Sequence, residues 1–134
     1  MFFTNGFPAA IMGLPCRLRI LPMMLVMGGI FYLSHQSGDT LNLPDIALLD
    51  KVLHFIAYAV LGLTVCLALP QHLWARYKWL PILGAVLITT GYGFTDELHQ
   101  LFIAGRSSSG ADLLTDGIGG IVSAISYKKL FYPL

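Results

Sequence analysis

An all-α membrane protein, a polytopic bundle of about four transmembrane helices, is the fold class the sequence predicts, and three observations carry it. Apolar side chains make up 56% of the 134 residues and charged ones only 11%, well below the quarter or so usual in soluble domains. The apolar residues gather in runs long enough to cross a hydrocarbon core, which takes about 17–25 residues of helix. The charges are also segregated between alternate connections, basic on one side and acidic on the other.

The chain divides into an N-terminal lead-in, residues 1–17, and one membrane domain, residues 18–134. The lead-in is apolar but broken by Asn5, Gly6, Pro8, Gly13 and Pro15, which opposes a continuous spanning helix. The positive charges Arg17 and Arg19 follow this apolar stretch and precede a longer apolar run, where a cleaved signal would place charge before its apolar region, so no cleavage is expected. The first span runs from about Leu18 to Leu33, with Pro22 in its opening turn and the two arginines free to snorkel to the interface. A polar loop over 34–49 follows, whose end from Pro44 to Asp50 begins the next helix. The second span is Val52 to Leu69, closed by Pro70. Next comes a short interfacial segment with Arg76, Lys78, Trp74, Tyr77 and Trp79.

The third span covers about Leu80 to Thr95, and its helical pattern continues through Asp96 and Gln100 until Gly105, a left-handed helix terminator. Ser109 with Asp112 three residues on has the form of a capping box opening the fourth helix, which runs to about Tyr127. Small residues at Gly117, Gly119, Gly120, Ser123 and Ala124 let a neighbouring helix approach closely, the usual packing device where lipid removes the hydrophobic drive.

Four spans fix sides alternately. The N-terminus, the second connection and the C-terminus hold Arg17, Arg19, Arg76, Lys78, Lys128 and Lys129, six of the eight basic residues, and are therefore expected in the cytoplasm. The other side holds Lys51 and Arg106 with all seven acids, Asp39, Asp45, Asp50, Asp96, Glu97, Asp112 and Asp116. The expected location is the inner, cytoplasmic membrane, multi-pass, with both termini inside. A formal charge of +1 gives no reason to expect nucleic acid. Cys16 and Cys66 lie far apart without metal-like spacing, so no disulfide, metal or other cofactor is expected, and membrane lipids are the implied partners. The oligomeric state stays open.

Helical spacing arranges the outer polar residues into stripes. Asp50, His54 and Tyr58 share one face. Asp96, His99, Gln100 and Ile103 share another, while Glu97 pairs with Gln100 and points about 100° away from Asp96. Asp112 and Asp116 stack at the start of the fourth helix, where the dipole favours carboxylates.

The stretches DKVLHFIAYAVLG and TDELHQLFIAGRSSSGADLLTDGIGG resemble the VanZ-like family of small bacterial membrane proteins, over roughly residues 30–125. The family's ordered motifs map onto Asp50, Lys51, His54, Phe55, Tyr58, Glu97, Gln100, Gly105, Arg106, Ser107, Asp112 and Gly119. Asp116 departs from the pattern, which has Asn there. The resemblance implies a cell-envelope protein of the kind whose namesake lowers susceptibility to the glycopeptide antibiotic teicoplanin, and supplies no reaction.

Three readings of the polar cluster stand side by side. Its groups can pair with one another and pin helix ends, with Arg106 forked onto Glu97 or Asp112, Lys51 on a neighbouring acid and Gln100 filling leftover lone pairs. It can instead bind a lipid-linked, cell-wall-precursor or glycopeptide group through Asp50, Lys51, His54, Tyr58, Asp96, Glu97, Gln100, Arg106, Ser107 and Asp112. Or it can be an enzyme site in which His54 or Glu97 is acid or base and Asp50 orients His54 across one helical turn. A metal held by His54, His99, Asp50 and Glu97 is the least favoured form of that chemistry, since no HExxH spacing is present. His35 and His72 read as ordinary interface histidines.

Overall fold

The computed structural model describes residues 13–37, 40 and 48–133. The sequence-based readings of residues 1–12, of Asp39 and of Asp45 lie outside the described residues. Among the described residues there are four long helices and one short one: α1 Cys16–Ser34, α2 Leu49–Ala68, α3 Gln71–Arg76, α4 Leu80–Gln100 and α5 Gly110–Phe131. There is no strand among the described residues. α1 and α2 are long and apolar enough to cross a membrane. α4 and α5 fall short of that measure because Asp96 and Glu97 sit in one and the other is rich in glycine and polar residues.

Each boundary has a local cause. α1 starts after Pro15 and tolerates Pro22 in its second turn. α2 stops at Ala68 because Leu69, ahead of Pro70, is extended, as the residue before a proline tends to be. α4 carries proline in its first turn, where no helical N–H is lost. Its helix ends at Gln100, earlier than the sequence pattern implies; turns continue to Gly105, which takes the expected left-handed backbone at φ 73°.

α2 and α5 run parallel and share the most extensive interface, with α4 against both. Their contact is backbone on backbone. A Cβ on Gly119 would lie 2.9 Å from Ala59 N and 2.9 Å from Phe55 O of α2. One turn on, Ser123 fills the space beside Gly62, and its hydroxyl donates to Ala59 O at 2.6 Å. Gly120 faces Thr89 of α4. Below this seam, Leu61, Val65, Cys66, Trp74, Ala85, Ala124 and Tyr127 form the core. Cys66 is buried and Cys16 exposed, both as free thiols.

The end opposite the polar cluster is tied by donors to helix-terminal carbonyls. Arg19 is buried rather than snorkelling: its guanidinium donates to Leu67 O and Leu69 O at 3.4 Å each, satisfying acceptors that the end of α2 leaves open. Trp74 Nε1 donates to Cys66 O at 3.1 Å, and Lys128 donates to Trp74 O. This is why the six-residue α3 has a fixed seat despite its length.

The seam makes a prediction. Gly119→Ala should destabilise the protein by about 1–3 kcal/mol, because its new methyl meets backbone that cannot step aside. Gly91→Ala, where a Cβ meets nothing within 4 Å, should be neutral or stabilising by up to about 1 kcal/mol. Unfolding of both variants in detergent measures the contrast.

Candidate functional site

The polar cluster occupies the end of the bundle where α1 and α4 finish and α2 and α5 begin. The parallel register of α2 and α5 sets its first row. Lys51 Nζ lies 2.6 Å from Asp50 and 2.5 Å from Asp112. One turn deeper, His54 Nδ1 lies 2.9 Å from Asp116 Oδ1; with a carboxylate as acceptor, Nδ1 is the donor. Asp116 is fully buried, and Gly93 of α4 makes room for it, since a Cβ there would stand 2.8 Å from Asp116 Oδ2.

α4 supplies the second row, and its adjacent acids do point apart. Asp96 turns to α2, where the Tyr58 hydroxyl donates to its Oδ2 at 3.1 Å and the Gln100 amide donates to the same oxygen at 3.4 Å. Glu97 turns to the start of α5 and accepts the backbone N–H of Ser109 at 2.8 Å on Oε2. The rings of His54 and Tyr58 are parallel, with centroids 6.2 Å apart.

Several sequence-based expectations are corrected by this geometry. Asp50 does not orient His54; it is exposed and bound to Lys51, and Asp116 takes the orienting place. Gln100 serves Asp96 rather than Glu97. Arg106 forks onto neither Glu97 nor Asp112; its guanidinium donates to Leu33 O at 3.0 Å, a cation at the C-terminal end of α1 as the helix dipole favours. The Ser109–Asp112 capping box does not form. The Ser109 hydroxyl accepts from Ala111 N at 3.2 Å, Asp112 is held by Lys51, and the reciprocal carboxylate comes from Glu97 on another helix. The metal set His54, His99, Asp50 and Glu97 is not gathered: His99 Nε2 sits 3.1 Å from His35 Nδ1 beside Phe31. Ser107 is exposed.

Asp116 and the His35–His99 pair are what sequence reasoning passed over. The signal for Asp116 was present, an extra carboxylate where the family pattern has Asn, one turn after Asp112. Together, one ligand atom from each of His54, Glu97 and Asp116 falls within 4.8 Å of the others.

Beside the cluster, α1, α2 and α4 enclose a pocket of about 360 Å³. Ile30, Leu33, Leu53, Ile56 and Ala57 form its apolar wall, and Asp50, His54, Tyr58, Asp96, Gln100 and Arg106 its polar end.

The sequence model of the family described as VanZ/LLP1 matches residues 19–132, from the first turn of α1 past the end of α5. The chain belongs to the VanZ family. It is therefore a membrane protein of the VanZ type, and the motif residues Asp50, Lys51, His54, Tyr58, Glu97, Gln100, Arg106 and Asp112 lie at one end of this VanZ fold. No curated protein and no solved structure matches the chain.

The Lys51–Asp112 pair is testable by a double-mutant cycle. Lys51→Met leaves the Asp112 carboxylate, 8% exposed, without its cation, and should cost about 1–3 kcal/mol. Adding Asp112→Asn should recover most of that loss, and unfolding of the four proteins gives the coupling.

Proposed function

We propose that this VanZ-family chain spans the bacterial inner membrane four times with both termini in the cytoplasm. Its outward-facing pocket binds the polar head of an amphiphilic envelope molecule, and through that binding it lowers susceptibility to glycopeptides such as teicoplanin. The outer faces of α4 and α5 support the four-span reading. α5 exposes Leu114, Ile118, Ile121, Val122 and Ile125 while turning Gly119, Gly120, Ser123 and Asp116 inward. α4 exposes Leu80, Leu83, Leu87, Ile88 and Phe94. Helices of modest mean hydropathy with an apolar outer face and a polar inner one suit lipid contact outside and helix contact inside. The charge asymmetry between alternate connections supports the orientation.

The pocket's division into an apolar wall and a polar end is the observation that carries the ligand class. A lipid-linked or cell-wall-precursor group offers the same division, with an acyl or prenyl chain for Ile30, Leu33, Leu53 and Ile56 and a sugar-like head for His54, Asp96 and Gln100. The surrounding acids favour a neutral or cationic head over a highly anionic one, with Arg106 as the local exception. An alternative reading is favoured by one contact: His54 held at 2.9 Å by buried Asp116 has the base-and-orienter arrangement of acid/base catalysis, and would make the protein an enzyme acting on the same class of molecule.

Two measurements test the proposal. Cysteine placed at Arg106 should react with an impermeant thiol reagent in intact cells and cysteine at Lys78 should not, in a Cys16→Ser, Cys66→Ala background; the reverse pattern refutes the orientation. Expression should raise the inhibitory concentration of teicoplanin, and Asp96→Asn or His54→Ala, present at wild-type level in the membrane, should abolish the rise. A changed lipid or cell-wall product by mass spectrometry selects the enzyme reading over the binder.

A further inference from the structure

Four acidic residues are buried at the site end: Asp96, Glu97, Asp112 and Asp116. Lys51 answers Asp112, and Tyr58 with Gln100 answers Asp96. Glu97 and Asp116, at 4% and 0% exposure, each keep one oxygen, Oε1 and Oδ2, without a hydrogen-bond partner among the described residues. Two neighbouring buried carboxylates with a single imidazole in contact with one of them, His54 on Asp116, are short of positive charge and unfavourable. The imidazole of His54 completes the group, with a ligand atom from each residue within 4.8 Å of the others, a separation that a small inward shift converts to bonds of about 2.0–2.2 Å around one ion.

We propose that His54, Glu97 and Asp116 bind a single divalent transition-metal ion of the zinc, manganese or iron(II) class. One imidazole and two carboxylates cancel the ion's double charge and favour these metals over the softer copper(I) and over the all-oxygen sites of calcium and magnesium. The ion displaces the proton now lying between His54 Nδ1 and Asp116 Oδ1, which leaves to Nε2 or to solvent, and engages the open oxygens Asp116 Oδ2 and Glu97 Oε1. The groups around the ligands are arranged as metal sites require. Ser109 N–H fixes Glu97 by Oε2 and leaves Oε1 free to coordinate, and Gly93 keeps clear the space that Asp116 Oδ2 occupies. Of the three ligands, His54 also lines the pocket. The site stands on these three residues alone and does not depend on the occupant of the pocket.

The test uses tag-free, full-length protein in detergent, stripped with EDTA and titrated with Zn²⁺, Mn²⁺ and, without oxygen, Fe²⁺. Metal content and unfolding temperature are both read. At least one of these ions should bind at about one per chain and raise the unfolding temperature. Asp116→Asn and Glu97→Gln should each weaken that binding at least about tenfold, whereas His99→Ala should leave it unchanged. No saturable binding of any of the three, equal binding by the amide variants, or loss in His99→Ala overturns the proposal. If an amide variant does not fold, X-ray absorption of the wild-type complex decides: one imidazole among oxygen ligands supports the site, two or more overturn it. Absence of metal with an intact teicoplanin phenotype removes this site and leaves the pocket reading standing; metal retained without the phenotype does the opposite.

Discussion

The backbone contact between α2 and α5 at Gly119 is the constraint on which the rest depends. With no side chain between the helices at that point, they meet at one axial register, and that register sets Asp112 opposite Lys51 and Asp116 opposite His54. A parallel pair shifted by one residue rotates every side chain by about 100°, so the ion pair, the His–Asp contact and the Ser123 bond to Ala59 would be lost together. α4 then packs across this pair and adds Asp96 and Glu97 from a single turn. The polar cluster is thus a product of the small-residue seam and not an independent feature of the helix ends.

The same seam explains why α5 carries so little hydropathy. Its inner face must be small or polar to admit two neighbours and to hold Asp112 and Asp116, so only its outer face is left for large apolar side chains. α4 is in the same position, with Gly93, Asp96 and Glu97 inward and leucines outward. Average hydropathy understates such helices because averaging mixes the two faces.

Much of the fold was legible in the sequence, since runs of apolar residues, Pro70 and Gly105 mark helix lengths and ends by local chemistry. The residues of the site were legible as a set, because helical spacing and the order of the motifs gather them at one end. Their pairings were not. Asp50 and His54 share a helix face, yet the partner of His54 comes from residue 116, as interhelical register is fixed by the remote contact at Gly119. Arg106 behaves likewise: lying between Glu97 and Asp112 in the sequence, it reaches across to Leu33 O because the turn at Gly105 throws it toward α1. The capping box failed for a third reason, a carboxylate from another helix outcompeting the local one for the Ser109 N–H.

The 62 residues that separate His54 from Asp116 also bear on how such a chain is made. Synthesis delivers α2 well before α5, so until α5 is made Lys51 has only Asp50 beside it and His54 lacks Asp116. Arrival of α5 is the step at which the Lys51–Asp112 and His54–Asp116 contacts form together, so a chain cut short of it lacks both.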